Sequence, residues 1–274
     1  MSAAESARWL LLDIGNSRLK WALLQGAYVR GRRFTAQGAL DLTRPRGRAA
    51  LRRLFELAGP AAGIVACNVA GSGIERRLRV MARAAGVGAL HFVRSTHAAA
   101  GVRNAYAEPW RLGVDRWAAL IGARAEYPQR PLCLVAVGTA MTIDLIDERG
   151  RHRGGSIIPG PTLMVDSLLE RTAGIQRRAG GRRAANSAVA RGRVTLFARD
   201  TRSAVADGAV NAAAALVAET ARAARALLGR APLLIVAGGG ADAVARQLRV
   251  RHRRQDDLVL RGLAVLHAAR RDFE

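Results

Sequence analysis

The chain has 274 residues, half of them apolar, and 44 lysines and arginines against 21 acidic residues give it a formal net charge of +23. That length fits one large domain or two of ordinary size, with enough apolar residues for real cores. The charge invites a nucleic-acid reading, but the arginines are spread in ones and twos and aromatics make up only 4%. With no zinc-finger pattern or base-stacking ribbon, nucleic acid is not the expected partner.

Cys67 and Cys133 each lie in an apolar run and fit no ligand spacing, so both are expected to be reduced core residues of a cytoplasmic protein. The five histidines form no metal-ligand pattern. His97, His152 and His252 have polar or small neighbours and read as exposed. The apolar run 9–12 is too short for a signal peptide. Residues 209–218 are too few, and too soon followed by Glu219 and Arg222, for a membrane span.

In chain order, residues 8–13 read as an apolar strand ending on Asp13. Gly15, Asn16 and Ser17 make a tight turn, since Gly and Asn tolerate positive φ. Residues 19–24 return as a second strand, which makes a β-hairpin rather than a strand-to-helix phosphate loop. Helical spacing covers 46–57, a buried strand 63–68, a helix 74–85, a strand 89–93 and a helix 117–126. The pattern then restarts with strand 132–137, the turn Gly138-Thr139-Ala140, a returning strand 141–146 and a third strand 154–158. Helices are expected over 162–172 and 203–228. A buried strand, 233–237, runs into Gly238-Gly239-Gly240, and a last helix covers 258–271. The Arg clusters at 177–183 and 249–254 read as solvated helix ends or loops. The chain thus repeats one design, a hairpin followed by α/β units. The expected fold class is α/β, with domains 1–118 and 119–274 and a nucleotide cleft between them.

The chemistry lies in the turns and at the junction of the halves. Lys20 is the only lysine of the chain. A mobile ammonium and a planar guanidinium are not interchangeable beside a phosphate. The small-residue turn at Gly15 can present backbone N–H groups to phosphate oxygens. Asp13 at the strand end can position a hydrated Mg²⁺, Asn16 and Ser17 offer neutral hydrogen bonds, and Lys20 supplies charge. The second hairpin carries Thr139 and Thr142 at the mirror position, and Asp144 on the returning strand, near the cleft, is a second candidate for the metal. Asp115 and Arg116 open a helix between the halves. Asp115 reads either as a helix cap or as a carboxylate base beside a guanidinium, which phosphoryl transfer to a hydroxyl requires.

Two such hairpins in order resemble the phosphate loops of the sugar kinase, actin and heat-shock 70 ATPase superfamily, and the Gly238 triplet its adenosine loop. The resemblance narrows at Gly113-Val114-Asp115-Arg116, preceded by Tyr106 and Pro109, which is similar to the substrate segment of type III pantothenate kinases. Those enzymes begin with D-x-G-N-[ST]-x-x-K, as 13–20 does here, and carry G-T-A-x-T-x-D, as 138–144 does. They continue with G-G-x-I-x-P-G, matched by 154–160, and a Thr before a long helix, matched by Thr201. The resemblance implies two actin-like (ribonuclease H-like) domains, a homodimer, and ATP-dependent phosphorylation of pantothenate with Mg²⁺ held through water at Asp13. It assigns ATP to Asp13, Ile14, Gly15, Asn16, Ser17, Arg18, Leu19, Lys20 and Thr139. Pantothenate falls to Tyr106, Gly113, Val114, Asp115, Arg116 and, from across the dimer, Thr201, with Asp115 as proton acceptor. Where many members have an Asp ligating K⁺ or NH₄⁺, this chain has Ala136, so a monovalent cation is not expected to bind there in that way. The stretch 174–193 is longer and more basic than the family's usual linker. Two alternatives stay open: a non-catalytic regulator on the same fold, like the Bvg accessory factors named within the family, and a kinase for another small alcohol.

Overall fold

The computed structural model describes residues 8–42, 45–58, 63–190 and 194–271. The chain divides into two compact units. One comprises the residues up to Gln129 together with those from Asp257 onward, and the other is Arg130–Asp256.

In the first unit, β1 (Arg8–Ile14), β2 (Arg18–Gln25) and β3 (Ala36–Asp41) form an antiparallel meander. β4 (Gly63–Asn68) pairs parallel with β1, and β5 (Leu90–Phe92) with β4. The order is β3-β2-β1-β4-β5. The sheet is apolar on both faces because helices cover both. Leu10, Leu12, Ile14 and Leu19 pack with Leu51, Leu54 and Phe55 of α1 (Pro45–Ala58) and Leu78 of α2 (Ser72–Ala84). Leu11, Ala22 and Val65 face Ala118 of α3 (Val114–Glu126) and Leu260 and Leu263 of α9 (Leu258–Arg271).

The return of α9 moves the boundary from the 118/119 expected above to 129/130. A Cβ at Gly122 would lie 2.1 Å from the Leu258 carbonyl oxygen, and one at Gly262 would lie 1.8 Å from that of Ala118. Helices that approach this closely need glycine at the crossing. The approach holds α3 and α9 together in one unit.

The second unit repeats the plan. β8 (Leu132–Val137), β9 (Ala140–Ile146) and β10 (His152–Pro159) are antiparallel, and β11 (Leu233–Ala237) and β12 (His252–Arg254) pair parallel on the other side of β8. The order is β10-β9-β8-β11-β12. Cys133, Val135, Val137, Met141, Ile143 and Leu145 pack on Ala213 and Val217 of α7 (Thr201–Leu228) and Val244 of α8 (Ala241–Ala245). The N-terminal half of α7 packs instead on Val165 and Leu169 of α4 (Pro161–Arg171) and Ala185 and Val189 of α6 (Gly181–Ala190). α7 is therefore apolar around its girth because successive parts of it are covered by different neighbours.

Several elements escaped the sequence reading. They are β3, the two-residue ladder β6 (Ala98–Ala99) with β7 (Val102–Arg103), the helices α5 (Ala173–Arg178) and α6, α8, and β12. The basic cluster at 177–183 does fall at the ends of α5 and α6. The cluster at 249–254, expected as helix end or loop, instead contributes the edge strand β12, whose charged pattern hides its pairing. Residues 191–193 of the basic stretch lie outside the described residues. His97 is exposed as expected, His252 is half-buried, and His152 is buried.

Candidate active site

Asp13 is the next-to-last residue of β1. The register places it directly opposite Lys20 on β2 and Cys67 on β4. Three adjacent strands thus bring an ammonium, a carboxylate and a thiol into one row on the same face of the sheet. The Cys67 thiol donates to Asp13 Oδ1 at 3.5 Å. Burial at the end of a core strand pushes the Asp13 carboxyl up to about 6, against the lowering pull of Lys20 and with a further push from the charge of Asp115. Complete burial, with both carboxylates nearby, raises the Cys67 thiol well above its ordinary value, so it remains S–H. Neither cysteine forms a disulfide. Cys67 is the core residue expected above, and it also touches the site, which no motif announced.

The turn beyond β1 closes through the Gly15 N–H donating to the Arg18 carbonyl at 2.9 Å. Asn16, Ser17 and Arg18 are exposed at its tip. Neither Gly15 nor Asn16 takes the positive φ that the sequence reading offered as the reason for their presence. Of the residues assigned to ATP, Ile14 and Leu19 have fully buried side chains that belong to the core.

Gly113 precedes α3, and Asp115 sits in its first turn. Asp115 is not the N-cap. Its Oδ1 accepts from the Arg116 N–H at 2.8 Å, and Gly113 leaves room for that carboxylate, since a Cβ there would lie 2.8 Å from the same oxygen. Arg116 is buried. Its Nη1 donates to the Tyr106 hydroxyl at 3.2 Å, and its guanidinium lies 5.9 Å from the Tyr106 ring centre. Two residues that sequence reasoning missed hold this segment in shape. Asn104 Oδ1 accepts from the Tyr106 N–H at 3.0 Å while its Nδ2 donates to the Pro109 carbonyl at 3.2 Å. The buried Ser95 hydroxyl donates to the Leu112 carbonyl at 2.8 Å. Such side-chain to backbone bonds in loops leave no spacing to read.

In the second unit, three sequence motifs converge. The Gly138 N–H donates to the Ala140 carbonyl at 2.9 Å, and the Gly160 N–H to that of Thr139 at 2.8 Å. A Cβ at Gly160 would meet the Gly138 carbonyl oxygen at 2.1 Å, and one at Gly238, whose φ is +100°, would meet that of Val137 at 2.3 Å. Thr139 is exposed at this junction. Arg254 donates to the Gly238 carbonyl at 2.8 Å and pairs with Asp242 and Asp256.

Asp144 does not lie at the tip of this hairpin. It sits mid-strand opposite Leu134, buried, with Oδ1 3.0 Å from Nε2 of the equally buried His152. The bond to Asp144 explains why His152 is inside despite its polar neighbours. Thr201 is the first residue of α7. It follows the cap Asp200, whose carboxylate accepts from the Ser203 N–H at 2.9 Å. Thr201 lines an open groove of about 780 Å³ with Met164, Leu168, Ile175, Val205 and Gly208.

Among the described residues no cluster of three or more His, Cys, Asp or Glu could enclose a metal ion, and no helix is long and apolar enough to cross a membrane. A single desolvated carboxylate suits Mg²⁺, which keeps most of its own water.

Known proteins share this fold and much of this sequence. A Spiroplasma citri MreB5 structure bound to ADP covers 98% of this chain and of its own at 10% identity and a TM-score of 0.54. A Campylobacter jejuni structure described as a Baf family transcriptional activator covers 96% of this chain and 99% of its own at 18% identity and a TM-score of 0.57. At these identities the likeness shows the fold alone, that of the actin-like ATPases. A Burkholderia vietnamiensis type III pantothenate kinase is 37% identical over 264 residues, spanning 96% of this chain and 97% of its own. The family profile described as type III pantothenate kinase matches residues 9–223, a stretch that contains both hairpins and the Asp115 segment, and the chain belongs to that family.

Proposed function

We propose that the protein transfers the γ-phosphoryl group of ATP to the 4′-hydroxyl of pantothenate, giving 4′-phosphopantothenate and ADP at the first step of coenzyme A synthesis. The observation that carries this reading is the meeting of Asp13, Lys20 and Asp115 in one unit of a chain of this family. Asp115 accepts the hydroxyl proton as the substrate oxygen forms its bond to phosphorus and the bridging bond to ADP breaks. Tyr106, Gly113, Val114 and Arg116 hold pantothenate, with the Arg116 guanidinium on its polar end. The hairpin 13–20 binds ATP, its backbone amides and Lys20 on the phosphates, and Thr139 is assigned to the nucleotide by the same reading. When bound, Mg²⁺ neutralises phosphate charge, and Asp13 is the residue that would hold it through water. Catalysis then comes from positioning and charge stabilisation.

The same reading places the enzyme in the cytoplasm as a homodimer. The groove beside Thr201 supports the dimer, since Leu168 stays 40% exposed there and the α7 residues Ala204, Gly208 and Ala212 leave its floor uncovered. Sedimentation at low micromolar concentration should show a dimer, and a fully active monomer would rule out a substrate contact from the partner's Thr201. Ala136 supplies no carboxylate, so monovalent-cation dependence is expected to be weaker or differently sited. Intact Asp13, Lys20, Asp115 and Arg116 favour catalysis over a purely regulatory role. A coupled ADP-release assay with pantothenate against a panel of small alcohols decides among the readings. Release with pantothenate is expected. Release only with another alcohol reassigns the substrate, and none at all leaves the regulator.

A further inference from the structure

We propose that Cys67 is a positioning residue for the nucleotide site: its thiol donates to Asp13 Oδ1 and fixes that carboxylate beside Lys20. The inference rests on the ATP-binding role given to Asp13 above. Asp13 lies on a central strand with Lys20 on one side and Cys67 on the other, both in direct register. A carboxylate pulled only toward the ammonium would lean onto β2. A donor on β4, 3.5 Å from Oδ1, holds it upright over β1. Cys67 is fully buried, so water does not compete for the thiol. The chain contains its own control. Ala136 stands two residues before Gly138, as Asp13 stands two before Gly15, and its neighbour in register on β11 is Ala237, in the place of Cys67. Where the carboxylate is missing, the donor is missing too.

The test is calorimetric binding of Mg·ATP without pantothenate, to the wild type and to Cys67→Ala, Cys67→Val and Cys67→Ser, followed by steady-state kinetics. Losing one hydrogen bond from a weak donor to a charged group is expected to weaken Mg·ATP binding about three- to tenfold in Cys67→Ala. The same loss is expected in Cys67→Val, which fills the space but donates nothing. Cys67→Ser, which donates, should bind within about twofold of wild type. KM for Mg·ATP should rise in step for the first two variants while KM for pantothenate stays put. Alanine and valine variants that bind like wild type would overturn the proposal. So would a valine variant that outperforms serine, because packing would then be the role of Cys67. Wild-type protein that binds Mg·ATP but turns over no pantothenate defeats the functional reading and leaves the binding series to decide on Cys67. Wild-type protein that binds no Mg·ATP overturns both.

Discussion

The two hairpins are built on one plan and carry different side chains. Each leads a five-stranded sheet of the same order, and each is closed by a glycine N–H. In the first, the row across the sheet is Lys20, Asp13 and Cys67, and in the second it is Thr142, Ala136 and Ala237. The first tip is exposed, and a Cβ at Gly15 would meet the Arg18 carbonyl oxygen at 3.1 Å, a tight contact that a shift of a few tenths of an ångström relieves. The second is wedged against Gly160 and Gly238, where a side chain would strike backbone at 2.1 and 2.3 Å. One hairpin offers charged side chains, and the other offers small and hydroxyl-bearing ones over closely packed glycine backbone. A repeat therefore conserves a backbone frame without conserving the side chains set along it.

Five substitutions test that division, and the largest effect is expected from the first. Asp115→Asn, in the unit with the charged hairpin, should keep ATP binding and lose turnover by about 10²- to 10⁴-fold. Single-turnover rates at saturating substrate check this, and near-normal turnover would reduce Asp115 to a structural residue. Gly160→Ala should destabilise the second hairpin by roughly 2–3 kcal/mol, because the new methyl group has to displace backbone. Gly15→Ala should change stability by less than about 1 kcal/mol. Urea titrations of the two variants compare the hairpins directly, and equal losses would erase the contrast.

Asp13→Asn should separate stability from function. The Asp13 carboxyl stands at about 6 in the fold, above its ordinary value of 3.8, so the folded state holds the proton more tightly than the unfolded chain. Wild-type stability from this group is full below about pH 4, falls as pH rises toward 6 and is flat beyond. The Asn variant lacks that fall. It should be about 1–3 kcal/mol more stable than wild type at pH 7–8, and no more stable below pH 4, while binding Mg·ATP more weakly. A gain that persists at low pH would point to packing instead. A modest effect is expected from Ala136→Asp, which gives the second row the carboxylate of the first. It should cost about 1 kcal/mol and introduce a rate difference between K⁺ and Na⁺ salts that the wild type shows only weakly. Strong, selective K⁺ activation of the wild type would contradict this.

The repeat was legible in the sequence because each hairpin is an apolar run, a small-residue turn and another apolar run. β3 was not, because an edge strand spelled AQGALD has little core face to show. The helices α5 and α6 were hidden by arginines on their outer sides. The domain boundary was misplaced because the cause of the true one, glycines at the α3–α9 crossing, lies about 140 residues apart in the chain. Asp13, Lys20, Asp115 and Arg116 were candidates by motif and resemblance, and all four lie in the first unit. Cys67, Asn104 and the Asp144–His152 pair could not be found that way, because each depends on which strand or loop lies alongside.

The solitary lysine has a practical consequence. An endoprotease that cuts only after lysine has one possible site in this chain, and that bond lies within β2, hydrogen-bonded to β1 on one side and β3 on the other. Cleavage has to await the opening of that sheet, whatever happens in the other unit. Digestion time courses would therefore report the local opening of one half of the protein, with no label attached.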